Sequence, residues 1–316
     1  RPSYRKGPAE DGDGRLQVMP CSQRTSGSSE AKNACAALCT NPTFANRQTV
    51  TTDGARYISN IEGKTNVPSD MQLDTMTGKM VDVGPSTAFK CMALVGDRGC
   101  GMEAQLEGAK RAMDGHNADN KGFLRDHSVV AVIFITDEED CSIQMARRAE
   151  AGPPSRDCSN PDQNASWECY NSDYRCVARS MQCDQAMNVQ GAHTNCKERA
   201  DSFLEPIKKY HDFFLNLVDD PSKLIISGIW TKPSVTEGGK LVVQRNVGGT
   251  TSAFLELAGG SDASCRYSGT DGNFTGVNGF AQRRLSAFAD SFGTSFNKIS
   301  MMNEPIATQF SICDVD

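Results

Sequence analysis

Several features that would have named a function class are missing from these 316 residues. No run of about 18 apolar residues occurs, which excludes a helical membrane span. No Lys/Arg-rich stripe occurs and the net charge is −6, so nothing offers a footprint for DNA or RNA. No Cys-x-x-Cys pair points to a zinc ribbon or a dithiol redox site. Gly248-Gly249 and Gly259-Gly260 lack the Lys-Ser/Thr of a phosphate loop, and no Gly-x-Gly-x-x-Gly is present. The four histidines form no His-x-x-x-His pair, and no Ser/His/Asp arrangement is legible, so no catalytic constellation is found. The first residue is not Met and no signal peptide precedes it, which reads as a processed or trimmed form of a longer chain. Apolar residues are also scarce, at 38%, and 28 glycines with many Asn, Asp and Ser indicate long loops or insertions.

What is abundant is cysteine, thirteen in all. Without zinc spacings, disulfides in an oxidising, extracytoplasmic compartment account for them. Cys35 and Cys39, four apart on a short helical patch, are each placed to hold a neighbouring loop. Cys91 and Cys100 enclose a loop, and Cys313 on a last strand could face Cys265. Cys141, Cys158, Cys169, Cys176, Cys183 and Cys196 crowd a segment of changed composition, a disulfide-stapled insertion whose pairing the spacing leaves open. His193 within it matches no zinc pattern.

The chain is organised around Ser128–Thr136, nearly all β-branched or aromatic, followed at once by Asp137-Glu138-Glu139-Asp140. Such a run reads as a central strand buried on both faces of a parallel sheet, with acids at the carboxyl edge where open α/β sheets place ligands. A helix over Met102–Asp114 carries Glu103 in its first turn, favoured there by the helix dipole and able to face a cation. Ser202-Phe-Leu-Glu205 has the pattern of a capping box before a helix running to Val218. Lys223–Trp230 follows as a strand, so helix and strand repeat as in right-handed parallel crossovers. Short elements are expected at Arg15–Met19 (strand), Leu241–Gln244 (strand) and Ser252–Leu257 (helix), and then a helix over Gly279–Phe292 and a strand over Gln309–Cys313. The resulting division is 1–140, an insertion at 141–198, and 199–316.

Ala88-Phe-Lys-Cys91, Gly99-Cys-Gly-Met-Glu103, Gly122-Phe-Leu-Arg125, Ile135-Thr-Asp-Glu-Glu-Asp-Cys-Ser142 and Ser311-Ile-Cys313 resemble a group of secreted, cysteine-rich bacterial proteins with von Willebrand factor A domains, many of them outer-membrane or other surface lipoproteins. The resemblance implies a doubly wound, mostly parallel α/β sheet with a metal-ion-dependent adhesion site binding Mg²⁺, Ca²⁺ or Mn²⁺. Asp137 matches one ligand of that site; Glu103 would replace a Thr, and Glu138 and Asp140 lie beside them. The family's Asp-x-Ser-x-Ser after its first strand is not found, since Asp262-Ala-Ser264 continues into Cys265-Arg266. The expectation is therefore a secreted or cell-surface adhesion module working by protein–protein contact, its sheet completed by an upstream segment or a second chain. A lipid anchor upstream is compatible with it. The alternative is a structural subunit of an extracellular or envelope assembly with a vestigial metal site.

Overall fold

The computed structural model describes residues 14–24, 29–94, 103–136, 139–147, 172–187, 189, 191–230, 241–246, 254–257, 265–268, 275–279, 282–293 and 307–311. In chain order they form helices α1 (Ser29–Leu38) and α2 (Pro42–Ala45), strands β1 (Asn60–Ile61), β2 (Lys64–Thr65), β3 (Met71–Asp74) and β4 (Lys79–Asp82), and helices α3 (Gly84–Ala93) and α4 (Gln105–Met113). Strand β5 (Val130–Ile135), α5 (Ser172–Ser180), β6 (Met181–Gln182), β7 (Gly191–His193), β8 (Lys197–Glu198), α6 (Ile207–Leu215) and β9 (Leu224–Trp230) follow. The last are β10 (Leu241–Asn246), β11 (Phe254–Leu257), β12 (Cys265–Ser268), β13 (Thr275–Gly279), α7 (Arg283–Ser291) and β14 (Ala307–Ser311). The chain divides into two compact units, one of residues 1–100 and 111–125, the other of 101–110 and 126–316.

In the first unit the elements are too short to bury much. Its core gathers Val18, Phe44, Val50, Val67 and Ala88 around four half-cystines, joined as Cys21–Cys35 and Cys39–Cys91. Cys39 and Cys91 thus pair with each other, and Cys21 pairs with Cys35; Cys100 lies outside the described residues. Arg15–Met19, expected as a strand, joins no sheet. The Asn120 side chain takes the place of a partner strand, accepting from Leu16 N (3.0 Å) and donating to Gly14 O (2.9 Å). Gly14 itself has φ +71 and backs onto Arg111, where any Cβ would collide.

The second unit is built on a three-stranded parallel sheet of order β14-β9-β5. The protein is therefore mixed α and β, with one parallel sheet and several small antiparallel ones. The centre is β9, whereas β5, expected there, is at an edge among the described strands. Burial on β5 alternates: Val130 and Phe134 are buried, while Ile133 and Ile135 are 61% and 68% exposed. That corrects the reading of a strand covered on both faces. On the covered side α6 and α7 lay Phe214 and Phe288 edge-on against Phe134, with centroids 6.5 and 6.0 Å away. Gly228 lacks a Cβ where one would strike the Trp230 ring, and Trp230 Nε1 donates to Ser286 Oγ (3.2 Å).

Three further expectations change. Residues 254–257 form a strand paired with β10 rather than a helix. The capping box does not form: Ser202 Oγ accepts from Leu204 N instead, Leu204 bridges Ile143 in extended backbone, and α6 starts after Pro206. The segment read as an irregular insertion contains α5, with Cys176, Val177 and Ala178 buried, and is cross-linked within itself by Cys141–Cys176 and Cys183–Cys196. Cys158, Cys169 and Cys313 lie outside the described residues, and Cys265 is described in backbone only.

Candidate functional site

The carboxyl end of β5 is where the acids were expected to act. Asp137 and Glu138 lie outside the described residues; Glu139 and Asp140 are described and point inward, 3% and 0% exposed. A buried carboxylate needs several donors, and the nearest supply is the unpaired N–H groups at helix starts. Glu139 Oε2 accepts from Arg283 N (2.8 Å) and Oε1 from Arg284 N (3.0 Å), so this acid caps α7 from outside the helix. Asp140 Oδ1 accepts from Leu106 N (3.0 Å) at the start of α4, and from Ser142 Oγ (2.8 Å). Ser142 Oγ in turn accepts from Glu107 N (3.0 Å). Two consecutive acids therefore anchor two helices to the end of one strand.

A cation is already present here, and it belongs to the chain. Arg284 Nε sits 3.2 Å from Asp140 Oδ2, the two side chains 7% and 0% exposed. The rest of that guanidinium donates to Glu198 Oε1 (3.1 Å) and Glu205 O (2.7 Å). Beside it Tyr210 donates to Glu107 Oε2 (3.0 Å), which Lys209 Nζ also approaches at 3.3 Å. Burial pushes the Tyr210 hydroxyl well above its ordinary value, and the Asp140 carboxylate adds to that push. Tyr210 stays a neutral donor. Burial likewise pushes the Glu139 carboxyl up, against the α7 amides that hold its ionised form.

The expected ligand set is not gathered by these contacts. Glu103 lies before α4 rather than in its first turn, where Glu107 stands instead; its carbonyl accepts from Cys141 N (2.6 Å). Asp140 has both oxygens engaged by amide, hydroxyl and guanidinium donors, so it does not fit a hard divalent cation. Among the described residues no group of three or more His, Cys, Asp or Glu could hold a metal ion. The residue that sequence reasoning missed is Arg284. Its signal was present: with Phe288 and Phe292 it makes an i, i+4, i+8 stripe, and a charge on an apolar stripe asks for a buried partner.

The other feature at this end of the unit is the outer side of β5. Thr136 N donates to Ile229 O (3.2 Å), so by parallel alternation the even-numbered residues bond β9 and the N–H and C=O groups of Ala131, Ile133 and Ile135 point away from it. The same three side chains form the uncovered face with Ile225 and Ile229, and Val129 beside them is 64% exposed. Parallel sheets are ordinarily covered on both faces. This one has helices on one face and, among the described residues, an apolar open face with an unpaired edge. Comparison with protein-family models, curated proteins and solved structures finds no match to this chain.

Proposed function

We propose that the chain is an extracytoplasmic binding module that acts by protein–protein contact, with the open edge and bare face of β5 as its contact surface. One observation carries the reading: Ile133 and Ile135, on a strand whose other face buries Val130 and Phe134, are 61% and 68% exposed beside a row of backbone donors and acceptors unpaired among the described residues. An exposed apolar edge strand is a template for another strand. The occupant that satisfies both edge and face is an apolar strand followed by an amphipathic helix from another polypeptide. Such a unit would also give the doubly wound form that the resemblance to von Willebrand factor A domains implies. Among the described residues four disulfides are compatible with an oxidising compartment, and no helix is long and apolar enough to cross a membrane.

Hydrogen exchange on the isolated, monomeric chain tests this directly. The amides of Val132, Phe134 and Thr136 are expected to be protected, and those of Ala131, Ile133 and Ile135 to exchange at rates near those of open backbone. Equal protection of both sets in a verified monomer would mean that the edge is already covered, and the reading would fall. A divalent-cation version rests on Asp137 and Glu138. Mg²⁺ titration of wild type against Asp137→Ala separates it, since only a metal-dependent module loses a heat signal in the variant.

A further inference from the structure

The β3–β4 hairpin stands out from the first unit with both faces in solvent, a condition in which two strands alone are marginal. It is held at its base and tip by its own acids. Asp82 Oδ1 accepts from Asp70 N (2.9 Å) and Gly84 N (2.8 Å), and Asp70 Oδ2 accepts from Thr87 Oγ1 (2.7 Å). At the tip Asp74 accepts from Met76 N (2.9 Å) and Thr77 Oγ1 (2.7 Å), and its pKa falls because of the Thr77 bond first. The loop is therefore shaped in advance, while its apolar side chains have nothing to pack on.

Those side chains are chiefly methionines. Met71 and Met80 are 51% and 56% exposed, and Met76 at the tip is 95% exposed. The register pairs Met71 with Asp82 and Leu73 with Met80, so Met71 and Met80 lie diagonally on one face, within reach of each other for long, flexible side chains. Thioethers are soft ligands, suited to Cu(I) and its kin rather than to Mg²⁺ or Ca²⁺. Among the described residues of this unit the other soft ligand, thiolate, is withdrawn, because Cys21, Cys35, Cys39 and Cys91 are paired and buried. The three carboxylates Asp70, Asp74 and Asp82 outnumber Lys79 and draw a cation, yet each is engaged by donors of the hairpin or of α3, which leaves sulfur as the ligand atom.

We propose that this hairpin binds a soft monovalent cation of the Cu(I)/Ag(I) class through the thioethers of Met71 and Met80. The proposal is independent of the β5 surface. The test uses the whole disulfide-bonded chain, labelled with ¹³C at the methionine methyls, with any thiol blocked by N-ethylmaleimide, and titrated with Ag(I) in chloride-free buffer. The methyls of Met71 and Met80 are expected to shift together, and Mg²⁺ is expected to move neither. Substituting Met71→Leu keeps apolar volume at an exposed position, so the hairpin is expected to stay folded, yet the Met80 response to Ag(I) should be lost. Methyls that stay in place under Ag(I), or a Met80 methyl that responds in Met71→Leu as it does in wild type, would overturn the proposal.

Discussion

Four of the nine buried residues in the first unit's core are half-cystines, whereas the second unit buries Tyr210, Phe214, Trp230, Phe288 and Phe292, each 2% exposed or less. The difference follows from what each stretch offers. Residues 14–94 have strands of two to four residues and helices of four to ten, too little apolar surface to offset the entropy of ordering the chain. Cross-links do so by restricting the unfolded state. The second unit must pair strands far apart in sequence, Val130 with Leu224 and Ala307 with Ile226, and the aromatic cluster under the sheet stabilises that non-local pairing. Low apolar content in one half of a chain thus predicts where disulfides matter most.

The sharpest way to break the comparison is to remove one cross-link. Cys39–Cys91 closes a separation of 52 residues, so Cys39→Ala with Cys91→Ala should cost about 4 kcal/mol on the loop-entropy estimate. Hydrogen exchange should show α1 and α3 opening while β9 stays protected. Equal loss in β9 would show that the second unit does not stand on its own packing.

A somewhat smaller effect tests the second unit's polar interior. Arg284→Met leaves Asp140 buried without its cation and should destabilise by about 3 kcal/mol or more. Adding Asp140→Asn should return part of that, read as a coupling free energy from urea midpoints. Additive losses would mean that the ion pair is incidental and that the helix starts alone hold the acid loop.

The smallest effect lies at the surface. Asp219 is pulled down to about 2 by Lys223 first and His127 second. Its folded value is below the unfolded one, so the stability it adds is complete above about pH 4 and is lost as pH falls toward 2. The pair is exposed and screened by salt. A carboxyl NMR titration should find Asp219 ionised to lower pH than an ordinary Asp, with the depression reduced in Lys223→Ala.

Much of this was legible from residue order. The helices α4, α6 and α7 and the strands β5 and β9 follow from periodicity and breakers, and Leu285, Phe288 and Phe292 face inward as their spacing requires. The errors have identifiable causes. An unbroken apolar run cannot distinguish a strand covered twice from one covered once, because both faces read as apolar. Ser202-x-x-Glu205 fits a capping box, but Phe203 and Leu204 gain more by extending beside Ile143 and Gln144. The partner of Asp140 was missed, since no local pattern shows that a guanidinium 144 residues away in sequence will meet it.

The sequence by itself determined the helices α4, α6 and α7, the strands β5 and β9 and the reliance on disulfides, because periodicity and cysteine count act locally or as sums. Only the tertiary structure decided that, among the described strands, β9 rather than β5 is central and one apolar face stays open, that Cys39 meets Cys91, and that Glu139 and Asp140 turn inward. Each of those is a choice among distant partners, made by the closing of long loops and the burial of the whole core.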